Sequence, residues 1–323
     1  CIRDSYKGRA KLDKVVMEVV SPDTIVSQMK AGNYDVASMP SAQYEAYKDL
    51  TNVSFISSFA SQYEYIAFHL GKYDKEQGKN VTDPNAKMKD PVLRQAIAYA
   101  IDNNAAGESM YHGLQRGTNS IIIPFFKDIY NPNQEGFDYN PEKAKAEFAK
   151  AKEALQSEGV EFPIHLDIPV SSADTNGVKS VQSLKQSIEA NLGSDNVVID
   201  IQQMTDDELN NITYFATSAS QEDWDLNNNL GWSPDYNDPS SYLEITGSKT
   251  GENVDSYFGF DPGTDNAAAK EAGFEEYDKL LEDAASENED INKRYEKYAA
   301  AQAWLTDSAL LMPAWSSGAT PSV

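Results

Sequence analysis

Between residues 163 and 232 the hydrophobic period switches back and forth, and this constrains the fold more than any other property of the chain. Ile164, Leu166 and Ile168 alternate with polar neighbours, the two-residue period of a strand. Val178, Val181, Leu184, Ile188 and Leu192 recur at three- and four-residue spacings, which marks a helix, and Gly193 stops it. Val197 to Ile201 returns to the strand pattern. Thr205 and Glu208 make a capping box for a further helix. Trp224 to Leu230 alternates again. Strand–helix–strand–helix–strand predicts an α/β sheet.

The remaining chain reads less regularly. Residues 11–20 are β-branched and predict a strand, Pro22 and Asp23 open a helix to about Ala31, and Gly32 and Asn33 close it. Tyr34 to Ala37 then reads as a second strand, making a small β-α-β unit. Two more strands are expected at Val53 to Phe59 and Tyr63 to Leu70, and Lys72 to Lys89 reads as a loop. Asp90 caps a helix with Pro91 in its first turn, and Leu93, Ala96, Ile97, Ala100 and Ile101 share one face. Asn140 and Pro141 open another helix, with Ala144, Phe148, Ala151 and Leu155 inward and Gly159 beyond its end. Two helices are expected at about 273–286 and 288–307, and a closing strand at 310–315.

The chain delivers its last α/β strand into Gly231-Trp232-Ser233-Pro234-Asp235-Tyr236-Asn237-Asp238-Pro239. Two prolines stiffen this loop, since each fixes its own φ and restricts the residue before it. Aromatic faces and carboxylates suit a wall that holds something by apolar contact and by charge. Ligands of open α/β sheets gather beyond the carboxyl ends of strands, and this loop falls at such an end.

Composition narrows the partner. With 27 basic and 51 acidic residues the formal charge is −24, the wrong sign for nucleic acid or an anionic membrane surface. No apolar run approaches the roughly 20 residues that cross a bilayer. The 323 residues predict two domains. The single cysteine, Cys1, excludes an internal disulfide; it reads as a lipid-acceptor residue or, in preference, as a cut or engineered fragment end. His69, His112 and His165 have no metal-ligand spacing. Asp223, Asp225, Asn227 and Asn229 begin like a calcium loop, but Asn228 stands where the turn glycine belongs and Pro234 where the bidentate Glu belongs. No phosphate loop, nucleophile elbow or paired acid and base stands out. The chain therefore reads as a non-enzymatic binder without a cofactor.

Asp90-Pro91-Val92-Leu93-Arg94-Gln95-Ala96-Ile97-Ala98-Tyr99-Ala100-Ile101-Asp102 resembles a helix of the oligopeptide/dipeptide-binding proteins of ABC importers, the family 5 extracellular solute-binding proteins. Gly231 to Pro239 resembles that family's G-W-x-x-D-Y-x-D/E-P segment. Lys11 to Ala37 and Leu311 to Ala314 resemble its flanking strands, in the family's order. The resemblance is to Gram-positive lipoprotein members. It implies an α/β, periplasmic-binding-protein-like class II lobe with a partial second lobe. Residues 1–84 would be a partial first-lobe segment and crossover, 85–312 the second, peptide-binding lobe, and 313–323 a return strand towards the first lobe. Full members of the family are longer, so the chain is expected to be a C-terminal portion that binds peptide weakly and exposes an apolar patch.

The same resemblance implies a substrate-binding component that takes oligopeptides in an inter-lobe cleft and passes them to ABC permease subunits. Its place would be extracellular, as a cell-surface lipoprotein held to the cytoplasmic membrane by a lipid anchor on the full-length parent. Asp235 matches the position whose carboxylate meets the peptide α-amino group, and Trp232 and Tyr236 match wall positions. Asn237 is a candidate beside them. Tyr63 and Tyr65 line the cleft or pack into the core, with nothing in the sequence to choose between the two. Arg94 reads as structural. A second reading is a surface adhesion or peptide-signal (pheromone) receptor module that binds a protein partner.

Overall fold

A computed structural model describes residues 11–37, 47–49, 63–70, 72–74, 79–81, 88, 90–111, 115–123, 127, 129–131, 133–222, 224–264 and 266–317. The strand expected at Val53 to Phe59, and Cys1, His112 and Asp223, lie outside them. By compactness the chain divides into two units, Cys1–Ile56 and Ser57–Val323.

In the smaller unit, Pro22 starts helix α1, Pro22–Lys30, and Gly32 at φ 74° ends it where only glycine is unstrained. The strands expected at residues 11–20 and 34–37 are not formed: neither segment is paired in a ladder. A strand exists through its neighbour, and β-branched propensity alone does not supply one. The only cross-link described between these segments is Tyr34 Oη–H donating to Glu18 at 2.8 Å. Val15, Val16, Met17, Val19 and Val36 are exposed in consequence.

The larger unit holds the helices and strands that the periodicity predicts, together with shorter elements in segments that read from the sequence as loop or carry no expectation. These are strand β1, Tyr63–Phe68, with the short β2, Lys72–Asp74, and β3, Lys79–Val81, pairing in what reads from sequence as loop. Helices α2, Pro91–Ala100, and α3, Asn103–Tyr111, precede β4, Gln115–Gly117. Helix α4, Pro141–Ser157, β5, Ile164–Ser171, α5, Thr175–Leu192, and β6, Val197–Met204, follow. Then come α6, Asp206–Asn211, β7, Leu226–Trp232, α7, Ser240–Leu243, and α8, Val254–Phe258. Last are α9, Ala267–Glu271, α10, Phe274–Ala285, α11, Ile291–Asp307, and β8, Leu311–Ser317.

The caps form as the sequence indicates. Asp90 Oδ1 accepts the Val92 and Leu93 amides at 2.7 and 3.1 Å, Asn140 accepts that of Lys143 at 3.0 Å, and Thr205 and Glu208 close a capping box. Each satisfies amides that a helix start leaves without partners. Ala144, Phe148, Ala151 and Leu155 are buried, as are Leu93, Ala96, Ile97 and Ala100.

Strands β5 and β6 pair in parallel from Ile164↔Val197 to Ser171↔Met204, with α5 between them in sequence, so the fold is α/β. The third strand of the expected sheet departs from it. Just before β7, Asp225 N–H donates to Asp167 O of β5 at 3.0 Å, and Asp225 Oδ2 accepts the Asp167 N–H at 2.8 Å. The ladder partner of β7 is β1, antiparallel, in a sheet of order β4-β8-β1-β7. Local periodicity identifies a strand without naming its partner. β1 is flanked on both edges, by β7 and by β8, and so lies in the larger unit, as do β2 and β3.

Alternating side chains of this sheet enter two cores. Ile66, Phe68, Leu226, Met312 and Ala314 join the core of α2, α4, α5, β5 and β6. Tyr65, Ala67, Leu230 and Leu311 join a second core with Tyr242, Tyr257, Phe258, Phe274, Tyr277 and Leu305.

Several polar groups are buried beside these cores, Arg94, His69 and Glu222 among them. Arg94 is 1% exposed; its Nε and Nη2 donate to Ser308 O at 3.1 and 3.0 Å and its Nη1 to Met88 O. Burial lowers its pKa to about 9, with Asp90 opposing, so the guanidinium stays charged at neutral pH. Where β1 and β7 meet at their opposite end, His69 stacks on Trp224 with ring centroids 3.5 Å apart. Its Nε2 lies 3.6 Å from Glu222 Oε2. Burial, with the charges of Asp255 and Asp261, pushes Glu222 up to about 9.

Replacing Arg94 by Met should cost about 2–3 kcal/mol, because it strips buried carbonyls of a charged donor; a thermal melt by circular dichroism measures the loss. Glu222 takes up a proton on folding, so its contribution is complete below its ordinary pKa of 4.5 and is lost as pH rises through about 9. Melting temperatures of the Glu222→Gln variant should therefore fall less steeply between pH 5 and pH 9 than those of the parent chain.

Candidate functional site

The loop after β7 is held at its base and open at its tip. β7 ends at Trp232, whose backbone lies opposite Tyr63 of β1, with Gly231 opposite Glu64. The indole of Trp232 packs partly into the second core, and its Nε1–H donates to Ser241 O at 2.6 Å. Ser241 Oγ accepts the Asp235 backbone N–H at 2.8 Å. One serine thus ties both the start and the middle of the loop to helix α7. That helix is anchored in turn, since Tyr242 and Leu243 are fully buried.

Two carboxylates in this loop meet different surroundings. Asp238 Oδ1 accepts the Ser240 N–H at 3.0 Å and Arg294 Nη2 at 2.9 Å. Its partial burial alone would raise its pKa, but the hydrogen bonds from Arg294 and Ser240 outweigh that and hold it below the usual carboxylate range. Asp235 has an exposed side chain and only its backbone is tied down. Asn237 is exposed too. Tyr236 is 56% exposed, with its hydroxyl 3.3 Å from Ser240 Oγ. The loop therefore presents one carboxylate and one phenol on a backbone that is fixed at both ends. Such a surface can hold an ammonium group by charge and an apolar side chain by contact.

The structure brings Trp232, Asp235, Tyr236 and Asn237 together and places the backbone of Tyr63 beside them. Tyr65 is a correction to its cleft reading. It is fully buried, its ring 4.8 Å edge-on from that of Tyr257, because the alternation of β1 turns it into the second core. Sequence reasoning missed Ser241, Arg294, and the exposed pair Tyr214 and Phe215 beyond α6. Tyr214 keeps most of its surface in water, yet neighbouring atoms partly desolvate its hydroxyl and Glu64, of the strand that faces Gly231, adds a repulsion, and both raise its pKa. Ser241 carried a local signal, as a small hydroxyl two residues past Pro239. Arg294 carried none, being 56 residues from its partner. Among the described residues no group of three His, Cys, Asp or Glu could hold a metal ion, and no helix is long and apolar enough to cross a membrane.

Comparison with known proteins joins this geometry to a family. Residues 3–254 match the family model described as bacterial extracellular solute-binding proteins, family 5 Middle. The chain is 59% identical over 279 residues to the oligopeptide-binding protein AliA of Streptococcus pneumoniae, covering 76% of this chain and 42% of that protein. It is 61% identical over 281 residues to the oligopeptide-binding protein SarA of Streptococcus gordonii, covering 78% and 41%. The fold is similar to that of lactococcal OppA complexed with an endogenous peptide in the closed conformation, with a TM-score of 0.68 at 21% identity, covering 92% of this chain and 53% of that one. The chain spans about half the length of the curated relatives it matches.

Ser241→Ala should release the middle of the loop while leaving its ends in place. Amide exchange should quicken at residues 233–237, with a stability loss of about 1 kcal/mol for one hydrogen bond; hydrogen–deuterium exchange read by mass spectrometry measures the first and a melt the second.

Proposed function

The chain belongs to the bacterial extracellular solute-binding proteins of family 5, and from that premise we propose that the protein carrying it is the substrate-binding component of an ABC importer that takes up oligopeptides. In this reading the peptide lies in a cleft between two lobes. Residues 85–312 carry the second lobe, residues 1–84 lead into it from the first, and 313–323 return towards the first. The pairing of β1 with β8 supports an entrance and an exit side by side. The protein works at the cell surface as a lipoprotein and hands its peptide to ABC permease subunits. That two relatives of about 60% identity are named oligopeptide-binding proteins supports the ligand class.

The observation that carries the reading is the split between the loop's two acids. Asp238 is consumed by Arg294, whereas Asp235 stands exposed on a stapled backbone. A carboxylate so placed can accept the α-ammonium of a peptide. Once a cleft closes over it, that charge-assisted bond is stronger than in water and selects peptides with a free N-terminus. Trp232, Tyr236 and Asn237 form the wall beside it, with Tyr63 at the facing strand. Recognition through the terminal charge and the peptide backbone leaves side-chain choice open, as an importer of mixed peptides requires.

Short peptides should raise the melting temperature of the full-length protein by mass action, and no rise with any pool up to millimolar concentration would sink the reading. Asp235→Ala should weaken free-amine peptides by about tenfold or more, the equivalent of one charge-assisted hydrogen bond, and N-acetylated peptides far less. Calorimetric titration decides; equal losses for both would remove Asp235 from the anchor role.

A further inference from the structure

We infer that Arg294 is a positioning residue for the Asp235 loop, acting through Asp238, and that it thereby sets how strongly a free peptide N-terminus is held. The inference rests on the peptide-anchor reading of Asp235 and extends it to a residue that never touches the ligand. Arg294 sits on α11, and one edge of its guanidinium faces the Asp238 carboxylate, Nη2 to Oδ1 at 2.9 Å and Nε to Oδ2 at 3.4 Å. Two parallel contacts fix the plane of the carboxylate as well as its position. The guanidinium is itself held on other sides. Its carbon lies 4.8 Å from the centroid of the Tyr298 ring, and Nη1 donates to Ala284 O at 3.4 Å. The Tyr298 hydroxyl donates onward to Glu244 at 2.5 Å.

The loop between Trp232 and Asp238 therefore spans two fixed points, with Asp235 between them. At one end the indole is bonded to Ser241; at the other Asp238 is gripped by Arg294 and Ser240. A carboxylate that receives an ammonium group gains from such preorganisation because little freedom is left to lose on binding. The two side chains of the ion pair are 18% and 21% exposed, so the pair is partly wetted. The access of water limits what the pair adds to global stability relative to a fully buried one. That separates a positioning role from a merely structural one: losing Arg294 should move the loop and the ligand more than the melt. Lysine supplies one point charge without the fork and should not replace it.

The test uses full-length protein with Arg294→Lys and, as a second variant should the first fold poorly, Asp238→Asn, which keeps the acceptor for Ser240 and loses the charge. Tri-alanine and N-acetyl-tri-alanine are the probes, with loop amide exchange read on the ligand-free protein. The expected result is faster exchange across residues 233–238 and a Kd for tri-alanine raised about fivefold or more, with less than about a twofold change for the acetylated peptide, consistent with loss of orientation at one charge-assisted contact. Unchanged loop exchange, or equal losses for both peptides, would overturn the inference. If Asp235→Ala leaves the preference for the free amine untouched while Arg294→Lys still frees the loop, the anchor reading fails and the mechanical link stands.

Discussion

Strand β1 is the element on which the rest of the larger unit depends. It is hydrogen-bonded along both edges, to β7 and to β8, and so joins chain segments about 160 and 250 residues downstream into one sheet. Its side chains alternate between two cores, Ile66 and Phe68 on one face and Tyr65 and Ala67 on the other. A strand buried on both faces leaves neither core able to close without it. The loop that follows β7 takes its position from this strand, since Trp232 and Gly231 lie opposite Tyr63 and Glu64.

The loop after β7 builds outward from that base by short-range bonds. The buried Tyr242 and Leu243 hold α7, α7 presents Ser241, and Ser241 holds Trp232 and Asp235. Asp238 is held by Ser240 and by Arg294 of α11. The result is a rigid backbone with an exposed carboxylate at its tip, a combination that disordered acidic loops do not offer. The surrounding negative charge of the chain, −24 in total, adds a long-range preference for a cationic group such as an α-ammonium.

Much of this was legible before the structure. The capping residues Asp90, Asn140 and Thr205, the inward faces of α2 and α4, and the strand–helix–strand run from Ile164 to Met204 follow from patterns within a few residues. The loop's chemistry was legible too, and so was the family, from motifs in a fixed order. The strands expected at residues 11–20 and 34–37 did not form, because β-branched composition states a capacity to pair and says nothing of a partner. The third strand of the α/β run went to β1 for the same reason.

What the sequence determined by itself was local: where helices begin and end, which residues share a face, and what groups the Gly231–Pro239 loop has to offer. Only the tertiary structure decided that Asp238 is spoken for and Asp235 is open, that Tyr65 belongs to a core, and that Arg94 bonds Met88 and the end of α11. The division has a physical cause. Helix bonds and caps close over three or four residues, so their determinants sit side by side in the chain. Strand partners and ion pairs such as Arg294 with Asp238 join groups far apart, at a cost in chain entropy that is offset only by burial of the cores as a whole.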